Sequence, residues 1–285
     1  MSEALVLCRF LHFIVVLMLF GAWLFRPLLL KGEAPALDRR LAQLSRWLVA
    51  IALASGVCWA LLITASMAGS AAAAFDPATV ELVLGHTFFG QVWRWHLLIN
   101  ALLLALLFTP WRSNRPLRLG LSALLLMTLA PVGHGAMLDG FSGQMLILNQ
   151  LIHLTCVGAW LGGLLMLVMI LRQPDKNIRE ILRRFSGLGY GLVAGLLITG
   201  LINVRVLTGQ WWPTPLFSGF ALILLIKALL VSGMLALALF NRLRINDCEQ
   251  RIDTLKRSVM LEWLLGIGAV AAVSVLGTLP PMIAA

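Results

Sequence analysis

Residues 8–12 read CRFLH, which sets a thiol, a guanidinium and an imidazole inside an apolar run. Cys8 and His12 stand four apart, so a helix turns both to one side. The pattern recurs at His153 and Cys156, three apart and again helical neighbours, with Asn149 and Trp160 on the same stripe. A third imidazole, His134, has Met137 and Met145 close behind it. Imidazole, thiolate and thioether together form a soft donor set. It suits copper, Cu(I) above all, better than Mg²⁺ or Ca²⁺. The candidate ligands are therefore His12, His134 and His153 first, then Cys8, Cys156 and Met137.

Such side chains need a scaffold that brings them together. The chain has 285 residues, 60% hydrophobic and only 12% charged, with a mean hydropathy of +0.94. A soluble domain carries about 25% charged residues, so the class is an all-α polytopic membrane protein. Runs of about 20 apolar residues predict a single domain over 1–285, a bundle of eight transmembrane helices. The spans fall near 4–30, 47–69, 92–109, 117–134, 145–171, 186–208, 218–241 and 258–279. The first run lacks a basic leader and contains Arg9 and His12, so it reads as a spanning helix rather than a signal peptide.

The first, third, fifth and seventh connections hold most of the 22 Lys and Arg, whereas the others hold Asp76, Glu81 and Asp139. Positive residues stay inside, so both termini are expected outside and those four connections in the cytoplasm. A net charge of +10 spread over four short loops makes no nucleic-acid stripe. The expected partner is the lipid bilayer, with no nucleic acid. FDPATVEL, at 75–82, predicts a short external helix capped by Asp76 with Pro77 at its first position. The four cysteines make no disulfide framework.

This topology puts all five histidines in the outer half. Ionisable groups in hydrocarbon are costly and ask for a reason. His12 and His153 lie about two turns deep and His96 about one. His134 ends the fourth span, and His86 sits in an external loop. His96 by itself reads as a packing residue, and His86 as a solvated one. Membrane cysteines ordinarily act as small hydrophobes, and Met137 and Met145 equally suit the interface. Three imidazoles from three helices at one depth are not explained by packing. Asn149, Trp160, Asn203, Lys227 and Glu262 are the candidates for supporting contacts or an inward path. Lys227 and Glu262 read as an ion pair, with a proton or ion relay as the sharper alternative. Arg26 reads as snorkelling to the inner surface. Arg9 and Arg205 suit an anion or a network with Asp139. Gly187, Gly191 and Gly195 at four-residue spacing predict close helix contact, as do Gly158 and Gly162.

LCRFLHFIVVLMLFGAW at 7–23, GHG at 133–135, NQLIHLTCVGAWLGGL at 149–164, RFSGLGYGLVAGLLITGLIN at 184–203 and LEWLLG at 261–266 occur in order along nearly the whole chain. Together they resemble the copper resistance protein D family. The resemblance implies a multi-pass protein of the Gram-negative cell inner membrane that moves copper from periplasm to cytoplasm. It also implies a periplasmic copper-binding partner of the CopC type, and it matches His12, His134 and His153 to the family's membrane histidines. The chain has no P-loop, so transport would be passive or ion-coupled, and no enzyme activity is expected. A competing expectation is a haem b electron-transfer protein with His12 or His96 opposite His153 as axial ligands. A third is an accessory scaffold.

Overall fold

A computed structural model describes residues 2–133, 137–173, 177–217 and 219–279. The described residues form helices joined by turns. In chain order these are α1 (Ser2–Leu29), α2 (Pro35–Ala68), α3 (Pro77–His86), α4 (Phe88–Leu106), α5 (Arg115–Met127), α6 (Gly140–Ile170), α7 (Ile178–Thr208), α8 (Gly219–Leu243) and α9 (Ile252–Leu276). Six of them, α1, α2, α6, α7, α8 and α9, are long and apolar enough to cross a membrane. The expected third and fourth spans correspond to α4 and α5, which are weaker. The α4 helix carries Gln91, Arg94, His96 and Asn100. The α5 helix has 13 residues, about 20 Å against a hydrocarbon core of about 30 Å. The short external helix is α3. Pro77 opens it and Asp76 caps it, its side chain accepting from the Thr79 N–H at 3.1 Å.

The bundle is built around α1 and α6, whose apolar windows are 67% and 78% buried, while α7 and α8 are peripheral at 22% and 11%. Lipid-facing positions remain apolar, among them Trp47, Leu102, Phe108, Leu201 and Leu229. No hydrophobic drive pulls helices together in lipid, so close contact depends on small residues. A methyl on Gly21 of α1 would lie 1.9 Å from the Gly158 carbonyl oxygen, and one on Gly162 would lie 2.3 Å from the Ala22 nitrogen. The two backbones therefore touch. The expected glycine stripe on α7 behaves differently. Gly195 gives room to Cys156 of α6, but Gly187 and Gly191 face nothing within 4 Å.

Arg26 does not snorkel. It is buried at 4% exposure and clasps Asp38 at the start of α2 through Nε at 2.6 Å and Nη2 at 2.8 Å. Its Nη1 donates to the Leu30 carbonyl at 2.9 Å, closing the α1–α2 elbow. A two-pronged bond of this kind fixes geometry as well as charge. It sets the angle at which α2 leaves α1.

Gly21→Ala should push α1 from α6 and cost on the order of 1–3 kcal/mol or more, read as a lowered thermal midpoint in detergent. Gly187→Ala, with open space around it, should leave the midpoint unchanged or raise it.

Candidate metal centre

His12 on α1 and His96 on α4 are both fully buried, and their Nε2 atoms stand 2.9 Å apart. The other ring nitrogens are anchored. His12 Nδ1 lies 3.0 Å from Ser55 Oγ on α2, and His96 Nδ1 lies 2.7 Å from Thr128 Oγ1 just beyond α5. Each hydroxyl spends its one proton on a carbonyl of its own helix. Ser55 donates to Ile51 O at 2.7 Å, and Thr128 donates to Leu125 O at 2.7 Å. With that proton on the carbonyl each hydroxyl accepts from Nδ1, whereas a hydroxyl that turns it to the ring leaves the hydrogen on Nε2. Two Nδ1–H rings face each other with bare Nε2 atoms and repel at this separation unless a proton or a metal cation joins them; one ring of each tautomer makes an ordinary N–H···N hydrogen bond.

The surroundings hold both rings still. Trp93 stacks on His96 with centroids 4.5 Å apart and planes at 12°, and its indole N–H donates to Gly56 O at 2.9 Å. Trp59 meets His12 edge-on at 5.6 Å. Gly56 keeps α2 close, since a methyl there would lie 3.4 Å from His12 Cε1. Cys8, one turn before His12, is buried and donates its thiol to Ser55 O at 3.1 Å. Cys58 of α2 lies beside it.

His153 has different neighbours. Its Nδ1 lies 2.9 Å from Thr199 Oγ1 on α7, and Thr199 donates in turn to Gly195 O. This is the same device. Beside it Asn149 donates to Thr199 O at 3.1 Å and to Asn203 Oδ1 at 2.9 Å. Asn203 donates to Gln150 at 3.1 Å. His153, Gln150, Asn203, Lys227 and Arg9 line a cavity of about 160 Å³ whose other walls are apolar. Among the described residues His12 contacts Ser55, His96, Trp59 and Trp93, not His153.

Cys156 packs against Gly195. Met137 lies half-buried in the turn before α6, Met145 is exposed, and His86 is exposed at the end of α3. His134 lies outside the described residues. Among those described, no three His, Cys, Asp or Glu side chains converge on one point. The expected haem pairs, His12 or His96 opposite His153, are not formed among the described residues: His12 and His96 face each other, and His153 faces Thr199 and the neighbouring cavity.

Lys227 and Glu262 do not pair. Glu262 is buried, accepts from Asn241 at 3.2 Å and lies against Trp160. Lys227 is about 21 Å from Asn241 along α8, at the level of His153. The expected ion pair is not formed because the two side chains lie at different levels of the bundle. Arg9 and Arg205 also act separately. The Arg9 guanidinium sits 5.1 Å over Trp59 and Arg205 sits 6.0 Å over Trp211. Neither forms an ion pair with Asp139 among the described residues.

His96, read from the sequence as a packing residue or a haem ligand, is fully buried and faces His12. Its signal is the buried stripe Trp93, His96, Asn100 and Leu103 on α4. The three anchoring hydroxyls carried no signal, because serine and threonine are ordinary residues in membrane helices.

Comparison with known proteins follows the same division of the chain. Residues 1–144 match the family model described as copper resistance protein D-like, N-terminal domain, and residues 179–276 match the one described as copper resistance protein D. The chain is 29% identical to Inner membrane protein YebZ of Escherichia coli (strain K12), over 96% of this chain and 97% of that one. It is 27% identical to Copper resistance protein D of Pseudomonas syringae pv. tomato, over 96% and 95% respectively. It is 28% identical to Copper transport protein CutJ of Bacillus subtilis (strain 168) over 88% of this chain, which spans about half of CutJ, 48%. No solved structure matches the chain.

A double-mutant cycle tests the separation of the two charges. Lys227→Met and Glu262→Gln should be additive in thermal stability to within about 0.5 kcal/mol. Asn241→Leu and Glu262→Gln, which share a hydrogen bond, should couple by more than that.

Proposed function

The chain belongs to the copper resistance protein D family, and from that premise we propose that it binds copper between His12 and His96 at the periplasmic end of the bundle and passes it towards the cytoplasm. The observation that carries this reading is the facing pair of Nε2 atoms, 2.9 Å apart, on two fully buried histidines. An ion at about 2.0–2.1 Å from each nitrogen, a usual metal–imidazole length, is held when the two rings move apart or tilt to one side. Ser55 and Thr128 fix the rings as outer partners of ligating histidines do. Cys8, one turn along the same helix face, donates its thiol to Ser55 O; released from that bond and deprotonated, it is the candidate soft donor of the kind Cu(I) prefers. His134 is a further ligand candidate. Cys156, Met137 and His153 stand as secondary candidates, with His153 assigned to the neighbouring cavity.

In this reading α4 and α5 complete eight spans. The basic connections lie in the cytoplasm, both termini lie in the periplasm, and the membrane is the bacterial inner membrane. The names of the relatives speak for resistance and transport rather than catalysis. A periplasmic copper-binding protein of the CopC type is the natural donor to a site at that face. The inward route does not follow the cavity beside His153. Arg9 and Lys227 line it, no carboxylate does, and a cation there would be repelled by about 4 kcal/mol at 4 Å from either charge.

Metal analysis of the purified protein is the direct test. His12→Ala and His96→Ala should each lose the copper that the wild type retains, while His153→Ala keeps it. Retention by both of the first two variants overturns the site. Ser55→Ala and Thr128→Val should weaken copper about 10–100-fold with the stoichiometry intact. In sealed vesicles, absence of copper uptake by wild type with its site loaded would defeat transport and leave binding standing.

A further inference from the structure

At the opposite end of the bundle from Cys8, the elbow between α1 and α2 meets the connection between α4 and α5. Between them lies a cavity of about 600 Å³. Its charged lining is Arg26, Arg39, Arg46, Arg112, Arg115 and Arg118 against a single carboxylate, Asp38. Arg26 already takes both oxygens of that carboxylate. Arg115 and Arg118 lie within electrostatic reach of the same carboxylate, which leaves one negative charge against six positive ones in the lining. Arg118 lies 5.4 Å over the Trp23 ring, and its Nε is buried without a hydrogen-bond partner. Arg46 lies 5.7 Å over Phe108. Arg112 and Arg115 form no ion pair among the described residues.

Retention of positive charge in cytoplasmic loops accounts for the number of basic residues, but not for this arrangement. The basic residues in the first turns of α7 serve as a comparison. Arg184 pairs with Glu180, Arg179 with Glu249, and Arg179 and Arg183 reach Asn246. There the charges are answered locally. At the α1–α2 elbow they converge on a concavity, and every basic residue lining it is arginine, the planar fork that matches phosphate oxygens.

We propose that this cavity binds a phosphate-bearing anion. Two sources offer that chemistry: the headgroup of an anionic phospholipid from the adjoining leaflet, and a soluble phosphate compound from the cytoplasm. Ligand phosphate bridges Arg112 and Arg115 on one wall to Arg39 and Arg46 on the other. It thereby ties the α4–α5 connection to the α1–α2 elbow, the joint from which α1 carries His12 outward.

The test uses the full chain, purified in neutral detergent. Native mass spectrometry with cardiolipin against phosphatidylcholine probes the lipid arm, and calorimetric titration with inorganic pyrophosphate probes the soluble arm. Binding in either arm should weaken about tenfold or more in the Arg112→Gln/Arg115→Gln double variant. It should persist in Arg244→Gln/Arg251→Gln, which removes the same charge elsewhere. If the first pair fails to fold, Arg39→Gln, on the exposed side of α2, replaces it with the same expected direction. The arm that binds identifies the source. Binding in neither arm, or equal weakening in both double variants, overturns the proposal.

Discussion

The contact on which the rest depends is backbone against backbone. The α1 helix meets α6 where Gly21 faces Gly158 and Gly162 with no room for a single methyl between them. Association in a bilayer rests on packing rather than on expelling water, so this seam fixes where α1 runs and how it is rotated. The rotation decides the chemistry. With one side committed to α6, Cys8 and His12 face α2 and α4. Arg9, Phe13 and Leu17 face the cavity shared with α6, α7, α8 and α9. A turn of α1 by one residue would put Leu11 or Phe13 in the place of His12.

Within that frame the histidines obey one rule. Each described intramembrane imidazole sets its Nδ1 against a serine or threonine hydroxyl from a neighbouring part of the bundle, and that hydroxyl reaches a carbonyl one turn back. No water is at hand in hydrocarbon, so every donor must find an internal partner. What distinguishes the three is what faces Nε2. For His12 and His96 it is the other ring's Nε2, a meeting that needs a shared hydrogen or a cation.

Part of this was legible from residues alone. Apolar run lengths placed the helices, and Asp76 with Pro77 placed the start of α3. The spacing of Cys8 and His12 put them on one face. What could not be read was rotation and pairing across helices. Depth alone grouped His12 with His153 because both sit near two turns in, yet α1 turns His12 away from α6. His96, passed over as packing, sits opposite His12 because α2 and α4 both lie against that face. The α7 glycines looked like a packing seam by spacing. Only Gly195 meets a side chain closely, because α7 meets α6 elsewhere through its own side chains, Phe185 against Gly163 and Trp160, Thr199 against His153 and Asn203 against Asn149.

Charge placement bears on which copper ion the proposed site would prefer. Adjacent imidazoles on one ion are compatible with the tetragonal preference of Cu(II), and nitrogen donors alone would not select Cu(I). Arg9 alters the balance. It lies 5.1 Å above Trp59, and Trp59 lies 5.6 Å from the His12 ring, so the guanidinium is no farther from the site than those two steps allow. At an effective dielectric of about 20, a unit charge at about 10 Å costs a cation about 1.5 kcal/mol for each positive charge it carries. The divalent ion pays that twice. A fixed arginine one residue from Cys8 and three from His12 in sequence therefore favours the monovalent ion by about tenfold, in the direction the Cys8 thiol also pulls. The guanidinium in CRFLH acts from behind an indole wall, as a field rather than a ligand.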